Sequence, residues 1–133
     1  MVQEQLFTDL TAEQAETIAA AIGPIDVSTS YGAASALDVR RTGRRSFRVG
    51  HLLVKDNAAD GDAVYAKLQG LATDGSVLIT PTKRFDRNGA KGRGTIYHTL
   101  KGSFGKNITS LRMAIYQNKA GRDPITTGDW VNI

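Results

Sequence analysis

Two basic stretches, RRTGRRSFR and TKRFDRNGAKGR, hold the residues of this chain best suited to bind something. The first places Arg40, Arg41, Arg44, Arg45 and Arg48 around a glycine-containing turn, and the second adds Lys83, Arg84, Arg87, Lys91 and Arg93. If both loops share one rim, they form a positive patch for phosphate, sulfated sugar or an acidic protein. Arg44 and Arg45, adjacent beside Gly43, could grip one anion together through charge-assisted hydrogen bonds. The anion-binding candidates are therefore Arg40, Arg41, Arg44, Arg45, Lys83, Arg84, Arg87, Lys91 and Arg93. The plain alternative is a solvated surface with its charge spread over both sheet faces. Nucleic acid fits less well, because stacking on bases needs interleaved aromatics and only Phe47 and Phe85 fall within these stretches.

The turn DNAADGD raises calcium. Aligned to an EF-hand loop with Gly61 sixth, Asp56, Asp60 and Asp62 take the first, fifth and seventh positions. Ala58 and Lys67 then stand where oxygen ligands are required, so the EF-hand fails. A rim site built from Asp56, Asp60 and Asp62 stays open beside the simpler reading, an Asp-Gly turn with left-handed backbone at Gly61.

Catalysis finds no carrier. GSFGKN lacks the spacing of a phosphate-binding loop, and no Gly-x-Ser-x-Gly occurs. His51 and His98 each alternate with apolar neighbours, which predicts core or half-buried imidazoles. Cysteine is absent, which removes disulfides, thiolate chemistry and cysteine zinc sites. The expectation is a non-enzyme with no catalytic residue and no cofactor, calcium at the Asp-rich turn excepted.

Charge is sharply divided along the chain that must position these groups. Residues 1–38 carry six acidic and no basic residues, whereas all 17 basic residues lie in 39–133. The acidic part begins with a capped helix: Thr11 and Gln14 form a capping box, and Gly23-Pro24 stops it. Its apolar face, Leu10, Ala15, Ile18, Ala19 and Ile22, is thin and would dock weakly. Residues 25–36, small and polar, read as a linker or an edge strand.

Strands are expected near 37–41, 45–55, 62–72, 76–81, 94–101, 109–117 and 128–132, with turn residues between them. Alternation assigns Phe47, Val49, His51 and Leu53 to one face; Val64, Ala66 and Leu68 to another; Leu111, Met113 and Ile115 to a third. Seven or eight short strands after one helix predict an all-β antiparallel sandwich or barrel. No apolar run approaches the roughly 18 residues of a membrane-spanning helix. The apolar ending DWVNI reads as a core or edge strand with Trp130 packed, and an exposed edge there could recruit a second copy.

LFTDLTAEQAETIAAAIG resembles leader peptides of the double-glycine type, cyanobacterial ones above all. The resemblance implies recognition by a peptidase-containing ABC exporter through Phe7, Leu10, Ala15 and Ile18. The expected Gly-Gly is here Ile22-Gly23, followed by Pro24, which leaves cleavage open. VKDNAADGDAVYAKL is similar to a strand–turn–strand signature in small exported actinobacterial β-sandwich proteins, which supports the fold alone. Together these readings divide the chain into a leader-like helix (1–24), a linker or edge strand (25–36) and a basic sandwich (37–133). They predict an exported bacterial binding protein for an anionic surface or polysaccharide. A self-assembling structural subunit, a nucleic-acid-binding β domain and a cytoplasmic location are the alternatives.

Overall fold

A computed structural model of the chain describes residues 24–119 and 122–133. The predicted helix, and the recognition residues Phe7, Leu10, Ala15 and Ile18 with it, lie outside the described residues. The described residues are all-β, with ten strands in two antiparallel sheets. Sheet A has the order β1 (Ile25–Ser28), β2 (Gly32–Arg41), β3 (Ser46–Asp56), β7 (Thr95–Ser103). Sheet B runs β10 (Val131–Asn132), β8 (Ile108–Asn118), β4 (Ala63–Ala72), β5 (Val77–Ile79), with β6 (Arg84–Phe85) on β4 and β9 (Ile125–Thr127) on β8. Both sheets keep free edges, so no barrel closes. Among the described residues no helix is long and apolar enough to cross a membrane.

Residues 25–36 belong to the sheet as an edge strand and the start of its neighbour. Ile25 pairs with Ala36 and is fully buried. Small residues recur along this hairpin because Ala34 and Ala36 face inward against β8, where larger side chains would overfill the layer.

The inward faces of the two sheets make one core. Val64, Ala66 and Leu68 of β4, and Leu111, Met113 and Ile115 of β8, point into it as their alternation predicts. They meet Val27, Val39, Val49, Leu52 and Val54 from sheet A. One end is sealed by the rings of Phe47 and Phe104, stacked with centroids 5.6 Å apart and planes 30° from parallel. Each ring occupies space above a strand glycine. A Cβ on Gly102 would overlap the Phe47 ring, and one on Gly70 would come within 2.8 Å of Phe104. The two glycines thus give the sheets room to approach around two large side chains.

Sheet A departs from simple alternation at one row. Phe47 and Val49 face inward, but so do Leu52 and Val54, leaving His51 exposed and Leu53 half-exposed on the outside. The predicted common face of Phe47, Val49, His51 and Leu53 is therefore broken between Gly50 and His51. Both neighbouring strands break at the same level: Leu37 and Asp38 are both exposed, as are His98 and Thr99. Asp38 and Thr99 carry left-handed φ angles of 55° and 50°. They flank Gly50 in a single cross-strand row, set by the pairs Val39–Val49–Leu100 on one side and Leu37–His51–His98 on the other. A left-handed residue turns the next side chain to the opposite face, so three adjacent strands change face together. Gly50 is required there, since a Cβ would sit 2.9 Å from that of Asp38.

Candidate anion-binding face

The turn joining β2 to β3 is held by Arg41. Its guanidinium donates to the carbonyls of Ile108 at 2.6 Å, Ile133 and Gly43 at 3.3 Å, and Arg44 at 3.4 Å. These bonds tie the turn to sheet B and use up the planar fork that an anion would need. Backbone bonds from Phe104 to Arg45 and from Ile108 to Arg44 dock the turn further. Arg41 is thus a structural clamp and leaves the predicted anion-binding set.

Its neighbours point the other way. Arg40 on β2 pairs with Arg48 on β3, and Arg48 with Lys101 on β7. Because paired residues share a face, the three form a row of cations across the outside of sheet A. At 4.7–4.9 Å between strands the row is about 10 Å wide. Arg40 is shared with Asp38, its Nη2 lying 3.1 Å from the carboxylate, while Arg48 and Lys101 are exposed and make no ion pair among the described residues. The next row toward the turn is made of hydroxyls, Thr42, Ser46 and Ser103, with Thr42 Oγ1 donating to Ser46 Oγ at 2.9 Å. Arg44 and Arg45 stand exposed at the end of the same turn, Arg45 donating to Asn107 Oδ1 at 3.3 Å.

Like charges opposite one another on a sheet oppose folding. The row offers guanidinium and ammonium donors side by side, flanked by hydroxyls. Sequence reasoning placed Arg48 at this turn but missed its alignment with Lys101. That alignment depends on the register between β3 and β7, which are separated by nearly forty residues of chain.

The loop of the second basic stretch is elsewhere. β3 has 11 residues, so its two ends are about 33 Å apart. The turn with Arg44 and Arg45 sits at the Ser46 end, and the loop 86–94 sits at the Asp56 end. The loop and the arginine turn therefore do not share a rim, whereas Arg84, ahead of the loop, lines a cleft together with Phe47 and Lys101. Lys83 lies 4.9 Å over the Tyr65 ring, and Arg84 and Arg87 lie 5.5 and 5.7 Å from the Tyr97 ring centre, so all three cover aromatic surface. Lys91 and Arg93 remain exposed at the loop.

That loop is organised by Asp86, which is nearly buried. Its carboxylate accepts from the backbone N–H of Asp56 at 2.8 Å and of Asn88 at 2.9 Å, and from Thr95 Oγ1 at 3.1 Å. The predicted calcium carboxylates are dispersed around it. Asp56 Oδ1 accepts from the Ala58 amide at 3.1 Å, and Asp60 accepts from Asp62 N and from Gln117 Nε2 at 2.6 Å. Asp62 pairs with Lys119 at 3.7 Å. Gly61 has φ 82°, the left-handed turn position expected of it. Asp56, Asp62 and Asp86 line a shallow cleft of about 530 Å³, while Asp60 turns to Gln117. No group of three or more His, Cys, Asp or Glu side chains disposed to hold a metal ion occurs among the described residues.

A further cleft, about 390 Å³, opens between the sheets beside edge strand β7. Phe47, Leu52, Leu68 and Leu100 line it, with Thr80, Thr82, Arg84 and Lys101. It has an apolar floor and no catalytic constellation. The outer face of sheet B is closed by its own side chains: Tyr65 and Tyr116 stack at 4.7 Å, and Arg112 lies 4.3 Å over Trp130. Tyr65 donates to Asp123 at 2.6 Å, and burial together with that carboxylate pushes its phenol above the ordinary tyrosine range. Comparison of the chain with protein-family models, curated proteins and solved structures finds no match.

Proposed function

We propose that the protein is a non-catalytic binding module whose sheet A face engages an extended polyanion, an anionic polysaccharide at a cell surface being the reading that best suits an exported protein. The carrying observation is the row Arg40–Arg48–Lys101, in which Arg48 and Lys101 lack carboxylate partners among the described residues. Residues 24–133 support it with 17 basic against nine acidic residues, a net +8. The leader-like segment 6–23 supports export through an ABC exporter. Strand addition at β7 is disfavoured because the left-handed Thr99 and the exposed Lys101 blunt that edge, which leaves the other free edges as the route to a self-assembling subunit, the second reading.

The test is retention of the full chain on immobilised heparin, with elution by salt. Wild type is expected to elute well after a variant carrying Arg48→Thr and Lys101→Thr, and Lys91→Thr with Arg93→Thr is expected to shift elution less. Equal elution of wild type and the first variant would refute the assignment of the face.

A further inference from the structure

The row beyond the kink holds the chain's only two histidines, and they face each other. His51 on β3 and His98 on β7 are register partners, with Nδ1 atoms 2.9 Å apart, ring centroids 4.9 Å apart and planes at 85°. Both rings are exposed, contrary to the core or half-buried position their alternation predicts, because the left-handed Asp38 and Thr99 turn this row outward. Left-handed backbone at a β-branched residue such as Thr99 is costly, and such strain gathers at functional positions.

Two neutral imidazoles so placed cannot both point bare Nδ1 lone pairs at each other. One Nδ1 therefore carries a proton and donates it to the lone pair of the other. We propose that a divalent d-block ion, copper(II) above all, takes that proton's place and is ligated by Nδ1 of both His51 and His98. At metal–nitrogen distances near 2.0–2.1 Å, adjacent corners of a square place two nitrogens about 2.9 Å apart, and a tetrahedron about 3.3 Å. The observed 2.9 Å, the spacing of a hydrogen-bonded pair, already brings both nitrogens within reach of one ion, and nitrogen sites favour copper over nickel and zinc. Water completes the coordination, since the pair is open to solvent. Arg48 and Lys101 lie three residues along their strands, about 10 Å away and beyond one Debye length at physiological salt, so they oppose the ion only weakly.

The experiment is titration of the full chain with copper(II) chloride in a non-coordinating buffer, followed by calorimetry and by electron paramagnetic resonance with nitrogen couplings resolved. The expected result is one ion per chain with two equatorial imidazoles, and roughly tenfold or greater loss of affinity, about 1.4 kcal/mol, in His51→Asn and in His98→Asn. Circular dichroism checks that the variants fold. The imidazole count in wild type decides the matter without them. Fewer than two imidazoles, variants that bind as tightly as wild type, or no binding up to 1 mM would each overturn the proposal.

Discussion

Replacing Arg48 by threonine is expected to stabilise the fold while weakening its proposed function. Arg48 stands between Arg40 and Lys101 on the outer face of sheet A, so its charge is repelled from both sides. With charged ends about 6 Å apart in water, each repulsion is about 0.7 kcal/mol unscreened, and physiological salt roughly halves it. Arg40 is partly neutralised by Asp38, so the removable repulsion is about 0.3–0.7 kcal/mol. Threonine is a good strand former and replaces the arginine stem without a loss in strand preference. For a domain of this size the gain corresponds to about 1–3 °C in Tm. The assay is calorimetric melting of wild type, Arg48→Thr and Arg48→Lys at low salt and again in 1 M sodium chloride, where the Debye length falls to about 3 Å. Threonine should raise Tm at low salt, lysine should leave it unchanged, and the difference should vanish in 1 M salt. A lower Tm for Arg48→Thr at low salt, or a gain that persists undiminished in 1 M salt, would refute the electrostatic reasoning.

Three other substitutions probe the frame around the face. Gly102→Ala drives a methyl into the Phe47 ring and should lower stability by about 1–3 kcal/mol in urea unfolding, with Phe47→Leu in the same chain recovering part of the loss. Arg41→Gln strips hydrogen bonds from carbonyls of its own turn and of the sheet B segments at Ile108 and Ile133 and should cost about 2 kcal/mol; Arg41→Lys should not restore it, because one ammonium cannot reproduce the planar fork. Tyr65 has a folded pKa raised by burial and by Asp123, so its contribution is complete below the unfolded tyrosine pKa of about 10 and is lost as pH rises above that. Urea midpoints measured at pH 8 and pH 11 should therefore fall less in Tyr65→Phe than in wild type.

How far the sequence disclosed this arrangement depended on the range of the interactions that set it. The faces of β4 and β8 were legible because Val64, Ala66 and Leu68, and Leu111, Met113 and Ile115, alternate without interruption in strands buried against one another. β3 misled because Phe47, Val49, His51 and Leu53 alternate across a level where the backbone changes face. Gly50 was the only hint on β3 itself; the left-handed residues that impose the change lie on other strands, and of these Asp38 is a type that tolerates such geometry whereas Thr99 is not. The histidines were expected in the core or half-buried for the same reason. Basic residues were legible as a composition and not as a surface. Arg40 and Arg48 are hairpin neighbours, but Lys101 joins them only through the β3–β7 register, and Arg41 beside them turns inward to bond the second sheet. The loop 86–94 looked like a partner of the arginine turn, and the length of β3 places it at the other end of the sheet.

The central claim is that Arg48 and Lys101 contact a polyanion directly, and its most direct test is the salt dependence of that binding. Affinity for a heparin fragment of defined length would be measured by calorimetry across a range of sodium chloride concentrations, for wild type and for Arg48→Thr with Lys101→Thr. Each lost contact should reduce the slope of log affinity against log salt by about one, so the double variant should be shallower by about two and weaker at every salt. Identical slopes and affinities for the two proteins would contradict the account.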